Sequence, residues 1–292
     1  MHGFGYTRIA VLTELPADLP DQVSRALRED IGSGDVTAQL IPAPQRANAQ
    51  LLCRQAAVLC GTAWFNETFR QLDPSIAINW GPAEGASVAA DTILCEIRGP
   101  ARSILTGERT ALNFLQLLSG TATATARYVQ ALTGTPCRIL DTRKTIPGLR
   151  SAQKYAVRCA GGHNHRIGLY DLVLIKENHI AAAGSISAAV SAARSHAPAL
   201  RVEVETENLD QVREALDARV DIVLLDNFDL DAIRAAVALN RSHPNRAVLE
   251  SSGGVTLATL RAIAETGVDY ISVGSLTKNV EAVDLSLRFA LS

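Results

Sequence analysis

The chain has 292 residues, 47% hydrophobic and 20% charged, which is the composition of a folded globular protein with room for more than one domain. A formal net charge of −2 excludes the broad basic field that non-specific nucleic-acid binding needs, so any bound anion must be caught by a local cluster of cations. No apolar run approaches the roughly 20 residues of a membrane-spanning helix, and Met1–Pro20 lacks the apolar core of a secretory signal.

In chain order, a polar helix is expected over Asp21–Glu29, leading into the turn-rich Asp30-Ile-Gly-Ser-Gly-Asp35. That segment has some of the spacing of a calcium loop but lacks its closing Glu, and reads as a turn. Short apolar segments follow at Ala49–Leu59, Ile76–Trp80 and Thr92–Ile97, separated by Gly and Pro. Gly107–Leu118 then carries Leu112, Leu115 and Leu118 at helical spacing. The five cysteines, Cys53, Cys60, Cys95, Cys137 and Cys159, show no Cys-x-x-Cys spacing. They read as buried or free thiols of a reducing compartment, which predicts a cytoplasmic protein.

From Arg138 the texture becomes regular. Strand-like runs at 138–140, 172–175, 202–205, 222–225, 247–249 and 270–273 alternate with helix-period segments at 186–196, 209–218, 230–239 and 257–265. Strands and helices alternating every roughly 20–35 residues predict βαβ units and a parallel sheet. The repeat resembles a TIM-type barrel with fewer strands than eight. There is no Gly-x-Gly-x-x-Gly after a strand, which argues against a dinucleotide-binding domain. The expected division is residues 1–132 and residues 133–292, with the tail from about 276 able to pack back on the first part.

In parallel α/β folds the reactive groups sit beyond the carboxyl ends of the strands. Here those ends carry Asp141-Thr142-Arg143-Lys144, Lys176, Glu205, Asp226, Glu250-Ser-Ser252-Gly253-Gly254 and Val273-Gly274-Ser275. Any one charged residue there is ordinarily a helix cap or half of an ion pair. A whole series on one rim is harder to read as surface. Arg143, Lys144, His165, Arg166 and Lys176 form a dense cationic group, and clustered cations imply a polyanionic ligand. Arg suits carboxylates in bidentate fashion, and Lys acts as a point charge for phosphate. The glycine turns 252–254 and 273–275 let backbone N–H groups approach an anion closely; tight turns alone are the bland alternative. Glu205 and Asp226 can hold Mg²⁺ together with substrate oxygens and water, or can bind sugar hydroxyls, and the residues leave both readings open. His163 and His165 have no evident third metal ligand in the sequence. His179 either touches the site or caps the next helix.

Two rival chemistries fit the same rim. One is a barrel lyase or aldolase using Lys144 or Lys176 as a Schiff-base amine. The other is a non-enzymatic sensor of a phosphorylated metabolite.

Five segments resemble the quinolinate phosphoribosyltransferases: Gly107-Glu-Arg-Thr-Ala-Leu-Asn113, Asp141-Thr-Arg-Lys-Thr-Ile-Pro-Gly-Leu-Arg150, Gly161-Gly-His-Asn-His-Arg-Ile-Gly168, Leu174-Ile-Lys-Glu-Asn-His179 and Glu250-Ser-Ser-Gly-Gly254. The resemblance runs from about Glu29 to the C-terminus and follows that family's order. It implies an N-terminal α/β sandwich and a C-terminal incomplete TIM-like α/β barrel. It implies transfer of a phosphoribosyl group from phosphoribosyl pyrophosphate to quinolinate with loss of CO₂, Mg²⁺ as cofactor, and a homodimer with a shared active site. By the same resemblance, Arg109 of the partner subunit, Arg143, His165, Arg166 and Lys176 bind the carboxylates. Thr142, Lys144, Lys176, Glu205, Asp226, Ser252–Gly254 and Val273–Ser275 take the phosphoribosyl pyrophosphate and its metal, with Lys144, Lys176, Glu205 and Asp226 as the catalytic set.

Overall fold

A computed structural model describes residues 14–291. Residues 1–13, most of the stretch read above as lacking a secretory signal, lie outside the described residues, as does residue 292. No described helix is long and apolar enough to cross a membrane. The described residues form two compact units: 14–126, 145–161 and 276–291 in one, 127–144 and 162–275 in the other.

The first unit opens with helix α1 (Leu19–Ile31), which has Pro in its first turn, where no N–H is missed. Its buried Leu19, Val23 and Leu27 recur every fourth residue, giving one apolar stripe. Gly32, at φ 55°, ends the helix in a conformation that a side chain would strain. The expected turn follows. Asp35 accepts hydrogen bonds from the main-chain N–H of Ala38, the Thr106 hydroxyl and the main-chain N–H of Thr37, and these bonds, Ala38's foremost, hold its carboxyl below the usual carboxylate range.

Strands β1 (Arg46–Cys53), β3 (Ala77–Trp80), β5 (Thr92–Pro100) and β12 (Leu285–Leu291) make a four-stranded antiparallel sheet in the order β12-β1-β5-β3. The pair β2 (Ala57–Val58) and β4 (Ser87–Val88) stands apart from it. Alternation places Ala47, Ala49 and Leu51 of β1 on one face, where they pack with Phe65 and Phe69 of helix α2 (Thr62–Leu72). Ile104, Ala111 and Leu115 of helix α3 (Ala101–Ala131) close the same core. A second cluster joins the α1 stripe to Trp64, Leu118 and the buried residues of α4 (Arg150–Cys159). The Trp64 indole donates to Gln22 Oε1, so this buried polar atom is satisfied.

Helix α3 is longer than the sequence predicts, because its C-terminal half, Thr121-Ala-Thr-Ala-Thr125, lacks an apolar period. Thr125 donates to the Thr121 carbonyl within the helix, whereas Thr123 and the preceding Ser119 serve backbone outside it. Thr123 Oγ1 accepts from the N–H of Val58, and Ser119 Oγ accepts from the N–H of Cys60 and donates to its carbonyl.

In the second unit, β6 (Arg138–Leu140), β7 (Val173–Ile175), β8 (Val202–Thr206), β9 (Ile222–Asp226), β10 (Val248–Ser252) and β11 (Tyr270–Ser272) form a six-stranded parallel sheet. Its order, β6-β11-β10-β9-β8-β7, is that of an incomplete barrel with β6 and β7 as free edges. A parallel bridge from Leu140 to His163 partly occupies the β6 edge. After the short α5 (Glu177–Ala183), helices α6 (Ile186–His196), α7 (Leu209–Asp217), α8 (Leu230–Ser242) and α9 (Leu257–Ala264) connect the strands. Each of these four starts at a residue whose side chain accepts from the helix's first turn: Ser185, Asn208, Asp229 and Thr256. Leu140, Leu172, Ile222 and Tyr270 pack together, with Leu174 and Val248 against them.

Gly120 in α3 tests the packing of the first unit. A methyl group there would run into the main-chain carbonyl of Glu281. Ala is better than Gly in a helix by about 1 kcal/mol, but overpacking against backbone costs about 1–3 kcal/mol. Gly120→Ala is therefore expected to lower the denaturant midpoint, and a raised midpoint would show that the contact yields freely.

Candidate active site

Strand alternation decides which residues can share the barrel interior. Ile222 lies in the interior cluster, so Leu224 and Asp226 face the same way. Val248 does the same for Glu250 and Ser252 of β10. Glu203 and Glu205 of β8 also share one face, and Glu203 meets His165. In β9 and β10 apolar residues of this face thus lie at the start of the strand and polar ones follow, whereas β8 carries Glu203 and Glu205 along its length.

All the site residues expected from sequence except Arg109 fall in this unit, at the carboxyl ends of strands save for His165 and Arg166, which lie on the loop before β7. Thr142, Arg143 and Lys144 follow β6, Lys176 follows β7, Asp226 and Ser252 close β9 and β10, and Val273–Ser275 follow β11. Arg109 is exposed on α3 in the other unit.

Local contacts assemble this rim in groups. Lys176 makes a short ion pair with Glu205. The Lys144 N–H donates to Thr142 Oγ1 at 3.1 Å, and Gly274 lies against both residues, where a Cβ would come within 3.0 Å of the Lys144 stem. Asp226 accepts from the Asn227 side chain at 2.8 Å, and the Asn227 N–H donates to the Ser252 carbonyl at 2.9 Å. Gly253, at φ 100°, lies so close to Asn227 that a side chain would collide with it. The exposed Gly253-Gly254 turn is therefore fixed from beneath and open above. Val273 is buried and its N–H is used on the Leu140 carbonyl, within the sheet.

The carboxylate-binding residues expected from sequence stand over an acidic floor. Asp141, Glu203 and Glu250 are each fully buried at 0% exposure. Asp141 accepts from the His165 N–H at 2.9 Å and from the Asn164 side chain, which shapes the 163–166 loop. Arg166 is a partly buried cation whose guanidinium loses protons more readily than usual, first through burial and second through the neighbouring charge of Arg143. The charges of Glu203 and then Asp171 offset this in part. The Nε of Arg143 is buried and finds no hydrogen-bond partner. Two like charges side by side, one with an unmet donor, are set for an anion that accepts from both.

His179 turns its Nδ1 to the Lys176 N–H at 3.0 Å, so it caps α5. His163 contributes main-chain bridges to β6, and burial lowers its proton affinity. The five cysteines are buried and unpaired. Cys60 and Cys159 share a metal-like grouping with Glu84, but that carboxylate already accepts from the Gly61 and Thr62 N–H groups, the Thr62 hydroxyl and Tyr155. Sequence reasoning missed Glu203 and the shaping role of Asp141. The available signal for Glu203 was a carboxylate in the middle of a strand of a parallel sheet, whose strands are normally apolar on both faces.

The comparisons with known proteins bear on the family and the fold. Residues 35–119 match the model of the quinolinate phosphoribosyl transferase N-terminal domain, and residues 121–288 match that of its C-terminal domain. A curated relative from Synechocystis, "Probable nicotinate-nucleotide pyrophosphorylase [carboxylating]", is 45% identical over 90% of this chain and 89% of its own. The solved nicotinate-nucleotide pyrophosphorylase of Francisella tularensis is 46% identical, with a TM-score of 0.92 over 97% of this chain and 100% of that one. Human nicotinic acid phosphoribosyltransferase is similar in fold, with a TM-score of 0.58 at 17% identity over 95% of this chain and 74% of its own.

Asp141 offers a direct test of the floor. Asp141→Ala removes two hydrogen bonds to a buried charge and is expected to cost about 3 kcal/mol or more. For a chain of this size that is a fall in Tm of roughly 6–12 °C. An unchanged thermal midpoint would mean that the 163–166 loop is shaped by other contacts.

Proposed function

The chain belongs to the quinolinate phosphoribosyl transferase family, and from that premise we propose that it transfers the phosphoribosyl group of phosphoribosyl pyrophosphate to quinolinate, releasing pyrophosphate and CO₂ and leaving nicotinate mononucleotide. The observation that carries the reading is that Arg143, close enough for its charge to act on Arg166, and the glycine turns after β10 and β11 all follow the carboxyl ends of strands of one parallel sheet. The pair suits a dicarboxylate, and the turns suit phosphates.

In this reading Arg143 and Arg166, with His165 behind them and Lys176 beside them, hold the two carboxylates. Arg109 of the partner subunit completes that pocket in a homodimer. Lys144, Lys176, Thr142 and the turns 252–254 and 273–275 hold the phosphoribosyl pyrophosphate. Glu205 and Asp226 fit Mg²⁺ in kind: they are hard carboxylates on adjacent strands, too few for an all-protein cage, so substrate oxygens and water complete the shell. Bound with the pyrophosphate, the ion supplies neutralising charge to the leaving group. Unpaired buried thiols support a cytoplasmic location.

The chemistry asks the protein for placement and charge, with no protein nucleophile. The ring nitrogen's lone pair forms a bond to ribose C1 as the C1–O bond to pyrophosphate breaks. Lys144 and Lys176 stabilise the departing oxygens. The ring nitrogen is then positive, so the adjacent carboxylate leaves as CO₂ and its bonding electrons stay on the ring carbon as an ylide. That carbon finally takes up a proton. Arg143 and Arg166 keep the ring oriented until the C–C bond breaks.

Incubation with phosphoribosyl pyrophosphate, Mg²⁺ and quinolinate is expected to yield nicotinate mononucleotide and CO₂, while nicotinate in place of quinolinate is not turned over. Turnover of nicotinate without CO₂ would move the chain's activity to that of a nicotinate phosphoribosyltransferase and overturn the reading. The shared site has its own test. Arg109→Ala and Lys144→Ala subunits are each expected to be inactive alone. Mixed under verified subunit exchange, they should recover about a quarter of the wild-type rate, because half the dimers then hold one intact site. No recovery would place Arg109 outside the partner's site.

A further inference from the structure

The acids under the rim do more than balance charge. Glu203 is the second residue of β8 and Glu250 the third of β10, and their carboxylates converge on one atom, Nε2 of His165. Glu203 lies 3.2 Å from that nitrogen and Glu250 3.6 Å, with all three side chains buried. The other ring nitrogen, Nδ1, accepts the main-chain N–H of Arg166 at 2.7 Å. A nitrogen that accepts carries no proton, so in the neutral ring the proton sits on Nε2 and points at Glu203. The grouping has the spacing of a metal site, but this proton occupies the place where a cation would sit. Both ring nitrogens are thus committed within the protein, and His165, at 7% exposure, has no N–H left to offer a ligand.

We propose that Glu203, with Glu250 beside it, is a positioning residue for the carboxylate pocket. It fixes His165 as the Nε2-protonated tautomer, and the bare Nδ1 then anchors the Arg166 backbone so that the guanidinium is held beside Arg143. The proposal rests on the dicarboxylate reading given above. Arg166 needs such an anchor because Arg143 repels it and burial disfavours its charge. The guanidinium's own protein contact is a long one, 3.5 Å to the Leu172 carbonyl. A charge that is repelled by its neighbour and weakly tied will swing away unless its backbone is fixed. Glu203 thereby acts at two ranges: through His165 on the Arg166 backbone, and by direct charge attraction on its guanidinium.

Glu203→Gln keeps the shape of the side chain, but its amide can present either oxygen or nitrogen to the ring, so the tautomer is no longer dictated. The expected result is a rise of about tenfold or more in KM for quinolinate, the size of one charge-assisted hydrogen bond. KM for phosphoribosyl pyrophosphate should stay within about twofold, since that ligand's cations are not held by Glu203. Glu203→Asp, which keeps the charge, should recover part of the loss. Adding Arg166→Ala to Glu203→Gln should cost little beyond Arg166→Ala alone, because both act through one contact. An unchanged quinolinate KM, an equal rise in both KM values, or full additivity would overturn the proposal.

The ¹⁵N resonances of the His165 ring in the wild-type protein give a readout that does not depend on turnover. Nδ1 should appear unprotonated and Nε2 protonated, and a protonated Nδ1 would overturn the proposal even if the variants fold poorly. Failure of the wild-type protein to turn over quinolinate would instead strike the functional reading, and the ring resonances would still decide the tautomer.

Discussion

Cations do not gather at one end of a small sheet without something beneath to hold them. In this protein the holding element is a layer of fully buried carboxylates, Asp141, Glu203 and Glu250, set inside a parallel barrel. Isolated, each would be costly to desolvate by several kcal/mol. They persist because hydrogen bonds and cations meet them: Asp141 binds the His165 N–H, Glu203 faces His165 and the Arg166 charge, and Glu250 stands by the same ring. Much of the site depends on this layer. The 163–166 loop is shaped by it, and that loop carries Arg166 to its place beside Arg143. The apolar cluster of Leu140, Ile222 and Tyr270 excludes water elsewhere in the barrel, which keeps the local dielectric low and these charge contacts strong.

In the proposed reading the phosphate side of the rim is built on a different principle. There the binding elements are turns whose backbone is fixed from below, by Asn227 under Gly253 and by Thr142 and Lys144 against Gly274. At Gly253 a side chain would collide with Asn227, and at Gly274 it would press on the Lys144 side chain. Main-chain donors fixed in this way need no reorganisation when an anion arrives. One rim therefore uses side-chain charge where a planar carboxylate must be recognised, and backbone where phosphate oxygens must be approached closely.

Most of the barrel was legible in the sequence, because apolar runs followed by amphipathic helices leave a repeated mark. The expected helix at 186–196 has the bounds observed, and the strand ends agree within one residue except that β10 runs to Ser252, three residues beyond the expected 249. Helix α3 was legible in part. Leu112, Leu115 and Leu118 marked its middle, but beyond Gly120 the small alternating Thr and Ala residues leave no run of large apolar residues to read, although Ala122 is buried in the core and Thr123 meets the backbone of β2. The cationic rim could be read because charged residues directly after apolar runs stand out. The acidic floor could not. Val202-Glu-Val-Glu205 looks like the alternation of a half-exposed strand, and only the parallel pairing on both sides shows that Glu203 points into an interior. His165 was placed among the ligand-binding residues for its type and its neighbours, whereas its two ring nitrogens are taken within the protein. Residue type told which groups carry chemistry; which of them face outward was a matter of pairing and parity.

The balance of charge across the proposed reaction also bears on turnover. In the proposed reading quinolinate brings two carboxylates to Arg143 and Arg166, and the nucleotide product retains one. Each charge-assisted hydrogen bond to a carboxylate is worth about 1.5–3 kcal/mol, so loss of CO₂ strips the ring of a substantial part of its hold. The newly cationic pyridinium of the product is, in addition, repelled by the same two arginines. A pocket kept cationic by design, with its acids sunk below the ligand and tied to His165 and the loop, therefore binds the substrate more strongly than the product on the carboxylate side. Had the acids stood at the level of the ligand, they would have neutralised the arginines and attracted the pyridinium, weakening the grip on quinolinate and slowing release of the nucleotide. The depth of Glu203 and Glu250 matters as much as their charge.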